Sequence, residues 1–237
     1  MSEIFQALGF AFRSALHPKV IALTIWPVLA AVAFWGGLAW FHWSDWSQGI
    51  AGLIAGTDAG GFLARLLSAS APLLLLLLLV PATLITALAL AATFAMPMIV
   101  DFVAARCYPA LERLHGGTAA GSFVNALVAG LAFAGLWIVT LPLLFTGVLA
   151  PVVPLVLSAY LNQRLFRYDA LAEHASAEEL RLIVDAEWKP MYALGLALAP
   201  LYFVPVLNLL APTVGGLAYA HLALARLAAL RAARAPA

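Results

Sequence analysis

The sequence predicts an all-α integral membrane protein built from two transmembrane helices, two helical hairpins and interfacial amphipathic helices. Three observations carry this. The chain is 65% apolar and 10% charged, where a soluble domain holds roughly 45–50% and about 25%. So few charges cannot coat so large an apolar mass, and lipid is the natural second solvent. The charges are also clustered: ten lie in residues 164–189, while residues 116–163 and 190–220 hold none. A charge at the bilayer centre costs about 2.5–3.5 kcal/mol even on lenient insertion scales. Residues 164–189 therefore form a polar platform outside the lipid that the two flanking blocks enter. Finally, if both termini, residues 101–115 and the platform share one side, eleven of the twelve basic residues lie on it and only Arg65 opposes them. That asymmetry predicts an N-in, C-in arrangement.

The chain reads as a single membrane domain, 1–237, with no cleavable signal peptide expected. Residues 1–19 place Ile4, Phe5, Leu8, Phe12 and Leu16 near one helical face, which predicts an interfacial helix. Residues 20–41 are free of charge, enough to cross about 30 Å of hydrocarbon, with Pro27 inside. Trp40, Trp43 and Trp46 follow as an aromatic belt. Residues 44–65 read as a glycine-rich loop, in which Gly52, Gly56 and Gly60 repeat at four-residue spacing.

Residues 66–100 are charge-free and predict a second, long, tilted or kinked span, with the run 73–79 facing lipid. Residues 101–115 are amphipathic and predicted to lie at the interface, broken at Pro109 and ended by Gly116 and Gly117. Residues 122–163 form a hairpin with its breakers at Pro142, Gly147, Pro151 and Pro154, spanning fully or partly. Residues 190–225 form a second hairpin around 205–208. Its arms of about 15 residues reach only about 22 Å, so it should enter the bilayer partway and return. In the platform, Ser176 and Glu179 have capping-box spacing, predicting a helix over 177–188 with Leu180, Ile183 and Val184 towards the membrane.

Chemistry is sparse. A net charge of +1 excludes the basic face of a nucleic-acid binder. Cys107 is the single cysteine, so no intrachain disulfide and no cysteine-built metal site can form. His174 and Glu178 stand four apart, but with one histidine nearby they read as a solvated helix face rather than a metal site. No nucleophile elbow, P-loop or dinucleotide fingerprint is present. No enzymatic activity, metal or cofactor is expected. Asn125, Asn162, Asn208, Thr140 and Thr146 are the polar side chains within the apolar blocks. They are expected to bond helix to helix, with Asn208, at the second hairpin's tip, the best candidate to meet a polar solute.

Four stretches carry a resemblance: LHPKVIALTIWPVLAAVAFWGGLAWF, FAMPMIVDFVAARCYPALERL, APVVPLVLSAYLNQRLFRYDAL and YFVPVLNLLAPTVGGLAYAH. Together they resemble the CysZ-type membrane family, whose eukaryotic relatives are the etoposide-induced-protein homologues. The resemblance implies a multi-pass protein of the bacterial inner membrane with two full spans and two partly penetrating, re-entrant hairpins. It also implies dimers or higher homo-oligomers. The implied activity is sulfate uptake feeding cysteine synthesis. The run in the place of the family's anion motif is Lys19-Val20-Ile21-Ala22, with Lys19 its one cation. Candidate solute-binding residues are Arg13, Lys19 and Asn208. Two functions are therefore expected: a permease or channel-like protein for sulfate or another small anion, or a non-transporting scaffold or envelope-homeostasis protein of the same fold. The partners expected are the lipid bilayer, further copies of the chain and a small anion.

Overall fold

A computed structural model describes residues 2–55, 61, 65 and 69–234. Among them all regular structure is helical. The chain divides into two compact units, Ala22–Ala95, and Met1–Ile21 with Met96–Ala237.

The Ala22–Ala95 unit is made from most of α2 (Pro18–Ala55) and from α3 (Ala71–Leu90), which ends in a π-helical turn, Ala91–Ala95. The expected break after Phe41 does not occur. At 1.5 Å per residue α2 is about 57 Å long, nearly twice the hydrocarbon thickness. Trp43, Ser44, Trp46 and Gln48 interrupt the apolar pattern but not the backbone, since none of them removes a helical hydrogen bond. Residues 44–55 are thus helical rather than looped, while Gly56 and Gly60 lie outside the described residues. The Trp35 indole N–H donates to Thr86 Oγ1 at 2.9 Å, and Trp26 meets Phe94 edge-on at 6.0 Å. These two contacts set α2 and α3 antiparallel. Thr83, Thr86 and Thr93 return their hydroxyls to carbonyls four residues back, so no hydroxyl is left orphaned on an apolar helix. Leu73, Leu77, Leu78, Leu84 and Ile85 are exposed. Within the leucine run Leu75 is the buried exception. The π turn stands directly before Pro97, whose missing N–H is the usual reason for such a bulge.

The other unit is built around α9 (Pro205–Arg234). Val214, Leu217, Tyr219, Leu222, Leu224 and Leu227 are all buried, as are Ala218, Ala220 and Ala223. Around α9 stand α1 (Ser2–Ala15), α4 (Met96–Cys107), α6 (Val152–Ala172) and α8 (Trp188–Leu198), with α7 (Ala177–Ala186) at one end. Helix α1 docks through Ala7, Ala11, Ser14 and Ala15, small side chains that let two backbones approach. Glu3 and Arg226 pair at 2.5 Å beside it. Its large apolar residues Phe5, Phe12 and Leu16 point outward. Helix α5 (Ala119–Leu144) buries only Ala129 among its side chains. It is tied to α6 by Asn125 Nδ2, which donates to Arg164 O at 2.7 Å, the helix-to-helix role expected of that residue. A turn containing Gly147 at φ 73° joins α5 to α6.

The second hairpin has unequal arms. Helix α8 and the 3₁₀ turn Ala199–Phe203 lead in, and the 30-residue α9 leads out. Pro205 begins α9, where its fixed φ is already helical and its missing N–H costs nothing. After the second apolar run α4 ends at Cys107, at the break expected near Pro109, but helix does not resume between that break and Gly116. Pro109 disfavours helical backbone at Tyr108 before it.

That non-helical tail fastens the polar platform. His115, Gly116 and Gly117 donate backbone N–H groups to Glu173, Ala175 and Ala172 carbonyls at 2.8–2.9 Å. Gly116 lies against the Ser176–Ala177 backbone so closely that a Cβ would overlap it. The predicted capping box is present: Glu179 N donates to Ser176 Oγ, and Ser176 N to Glu179 Oε2. Leu180 and Ile183 are buried inside the protein rather than turned to the membrane. The Arg231 guanidinium then closes the platform, donating to both Glu179 oxygens at 2.9 Å and to the Glu112 and His174 carbonyls.

Acid is expected to loosen this lock in two steps. His174 is 1% exposed, and its Nδ1 is buried without a partner. Burial first, then the nearby Arg113 guanidinium, Arg231 and His115, push its pKa below the ordinary 6.5, against the opposing pull of Asp101. The native state keeps it neutral, so its contribution is intact above pH 6.5 and declines as the pH falls towards the lowered value. Glu179 is held at about 2, from an ordinary 4.5, chiefly by its bond from Arg231. Its contribution is intact above 4.5 and is lost between 4.5 and about 2. Thermal midpoints of the detergent-solubilised protein across pH should show both steps, and His174→Gln should remove only the upper one.

Candidate functional site

Helix α1 from Phe5 onward, the turn at His17 and the last turn of α4 line a cleft of about 610 Å³. Local sequence explains each wall. The chain turns at Ser14–His17, where His17 N donates to Ser14 O at 2.9 Å. Pro18 then starts α2, and His17 caps it: Lys19 N donates to His17 Nδ1 at 3.3 Å. With Nδ1 accepting, Nε2 is left as the ring's donor. The ring rests on Phe102 of α4 at 5.2 Å. The Arg106 guanidinium also lies over Phe102, 6.0 Å from the ring centroid. Phe102 thereby spaces two basic groups around one cleft.

Arg13, Ser14, His17 and Arg106 form the polar lining, with Gln6 and the rings of Phe5 and Phe10 completing it. No carboxylate lines the cleft. Among the described residues neither Arg13 nor Arg106 pairs with one, although Arg113, Arg226, Arg231 and Arg234 all do. Two guanidiniums with free donors, an imidazole N–H, a hydroxyl and an amide suit an oxyanion, because guanidinium forks match its paired oxygens.

Of the sequence candidates, Arg13 lies in the cleft. Lys19 is exposed two residues from His17, and its backbone N–H is spent on the His17 cap. Asn208 is exposed in the first turn of α9, its own N–H bonded to Val204 O at 2.8 Å. Neither of the two lines the cleft. Sequence reasoning missed His17 and Arg106. His-Pro ahead of a charge-free run was a legible cap signal, but nothing in the sequence joins Arg106 to residues so far upstream.

A second polar cluster surrounds His174, with Arg113 paired to Asp101 at 2.7 Å and to Glu173 at 3.5 Å. Its charged groups, Arg113, Asp101 and Glu173, are paired with one another, which makes it a fastening rather than a receptor. Glu178 is engaged by Arg234 at 3.3 Å. Among the described residues no group of histidine, cysteine and carboxylate side chains could hold a metal ion.

Among the described residues three helices are long and apolar enough to cross a membrane, within Pro18–Ile54, Ala119–Leu144 and Leu210–Arg234. No curated protein and no solved structure matches the chain. A family model described as sulfate transporter CysZ/etoposide-induced protein 2.4 matches residues 7–212. That match covers most of the chain, including α1 from Ala7 onward with Arg13, His17 and Arg106 of the cleft, the polar platform and the start of α9. The chain belongs to the CysZ/etoposide-induced protein 2.4 family of membrane proteins.

Proposed function

We propose that this protein is a permease for a small tetrahedral oxyanion, sulfate first, and that the solute is bound at Arg13, His17 and Arg106 on its path. The single observation behind this reading is the cleft itself, two unpaired guanidiniums beside an imidazole donor with no carboxylate to compete. A dianion leaving water needs several such donors at once. Lys19, exposed beside the cleft, raises the local anion concentration. Asn208 offers an amide at the second hairpin's tip, further along the path. The protein sits in a bacterial inner membrane, with its polar platform and both termini on the cytoplasmic side and its hairpins re-entrant. It works as a homo-oligomer.

Radiolabelled sulfate flux into proteoliposomes is the test. Arg13→Gln and Arg106→Gln should each lower flux about tenfold or more, since a charge-assisted hydrogen bond contributes about 1.5–3 kcal/mol. Wild-type flux no greater than that of empty vesicles overturns the reading. A non-transporting scaffold is the second reading, favoured by the bare apolar side of α5, which suits a protein partner as well as lipid. Absence of flux together with one stoichiometric partner recovered in mild detergent would support it.

A further inference from the structure

We propose that the Arg13–His17–Arg106 cleft is also the seat of an anionic phospholipid, whose phosphate occupies the oxyanion position and whose acyl chain lies along α1. The inference rests on the reading of the cleft as an oxyanion site, and adds to it a resident competitor.

Helix α1 carries two adjacent stripes. Gln6, Phe10 and Arg13 fall along one, and they line the cleft with His17, which stands just past the helix end. Phe5 and Phe12 fall along the next, roughly 100° round the helix, with Leu16 just past its end; the three are 68%, 49% and 75% exposed, and Phe5 also borders the cleft. Gly9 lies between Phe5 and Phe12, with open space where a side chain would stand. The buried side of the same helix is filled by Ala7, Ala11, Ser14 and Ala15. Small residues thus face the protein and large apolar ones face away. That arrangement suits a helix whose outer surface meets acyl chains.

The height of the cleft fits a headgroup. The charge-free run of α2 begins at Val20, immediately after His17 and Lys19, and that of the second apolar segment ends at Val100, shortly before Arg106. Both helices therefore bring their basic residues to the edge of the hydrocarbon. Cations at that level, without a carboxylate in the cleft, complement an anionic headgroup and not a zwitterionic one. An apolar stripe beside a phosphate site distinguishes a lipid from free phosphate or sulfate, which has nothing to place there. Lipid and solute draw on the same donors, so the two exclude each other, and membrane composition sets how often the cleft is open to solute.

The full-length protein, delipidated in detergent, tests this by native mass spectrometry with phosphatidylglycerol, phosphatidylcholine or inorganic sulfate. One phosphatidylglycerol should be retained at least tenfold more tightly than phosphatidylcholine. The double variant Phe12→Ser/Leu16→Ser should weaken phosphatidylglycerol about tenfold and leave sulfate binding unchanged. Neither residue lines the cleft and both are exposed, so the fold should persist, as a monodisperse elution profile would verify. Arg13→Gln should weaken both ligands. Equal retention of the two lipids, or phosphatidylglycerol retention unaltered in the double variant, overturns the lipid seat and leaves sulfate flux to stand on its own. If phosphatidylglycerol behaves as expected while sulfate neither binds nor displaces it, the lipid seat holds and the permease reading fails.

Discussion

Arg231→Ala should lower the thermal midpoint of the detergent-solubilised protein by roughly 10 °C, corresponding to about 3 kcal/mol. Arg231 donates to Glu179 through Nε and NH2, each at 2.9 Å, and to the carbonyls of Glu112 and His174 at 3.0 and 2.7 Å. One planar group thereby joins α9, α7, the turn before α7 and the tail after α4. Truncation leaves the Glu179 carboxylate, whose side chain is only 9% exposed, with the Ser176 N–H and no cation. Removing one member of a buried pair costs more than the pair contributes, because the remaining charge cannot recover its hydration. Arg231→Lys should recover only part of the loss, since an ammonium cannot reach two carboxylate oxygens and two carbonyls in one plane. The Glu179→Gln/Arg231→Ala double variant should be less destabilised than the two single losses added together. Additive losses would mean that the fork is not an energetic unit.

Gly195→Ala should cost about 2–3 kcal/mol, and Gly195→Val should abolish recovery of monodisperse protein. A Cβ at Gly195 would stand 2.7 Å from Tyr219 Oη and 2.8 Å from Ala159 O. Neither neighbour can retreat. Ala159 is backbone in the middle of α6. Tyr219 is fully buried, stacked on Phe166 at 5.4 Å, with its hydroxyl donating to Met191 O at 2.9 Å. Gly130→Ala is the matched control, because a Cβ there meets nothing within 4 Å. Helix propensity alone should make that change neutral or stabilising by up to about 1 kcal/mol. If both substitutions had the same effect, close packing of α6, α8 and α9 at Gly195 would not be a determinant of the fold.

Much of the architecture was legible because charge and apolar mass segregate so sharply along the chain. The charge-free runs, the polar platform and the Ser176–Glu179 box follow from local sequence and recur in the structure. Helix ends were less legible. A drop in hydropathy at His42 ends the stretch that lipid would favour, but it does not end α2, because nothing from His42 to Gln48 interrupts backbone hydrogen bonding. The break expected at Pro109 is present, but the helix does not resume after it as the amphipathic pattern of residues 101–115 suggested. The unequal arms around Pro205 were hidden because Pro212 reads as a breaker while α9 accommodates it. Burial was hidden too, since leucine serves a protein interior and a lipid surface equally well. Leu180 and Ile183 were assigned to the wrong one of those two surroundings. The site was half legible. Arg13 stood out, with Lys19, as a cation ahead of a span, whereas Arg106 joins it only through packing against Phe102.

The burial of α9 has a consequence for biogenesis. Helix α9 is translated after α1, α4, α6 and α8, the very elements that wrap it. Until it leaves the ribosome, the alanine faces of α1 and the inner sides of α4, α6 and α8 surround no filler. The jacket is thus synthesised before its core, and this unit can acquire its native packing only after the polypeptide has grown past Leu227.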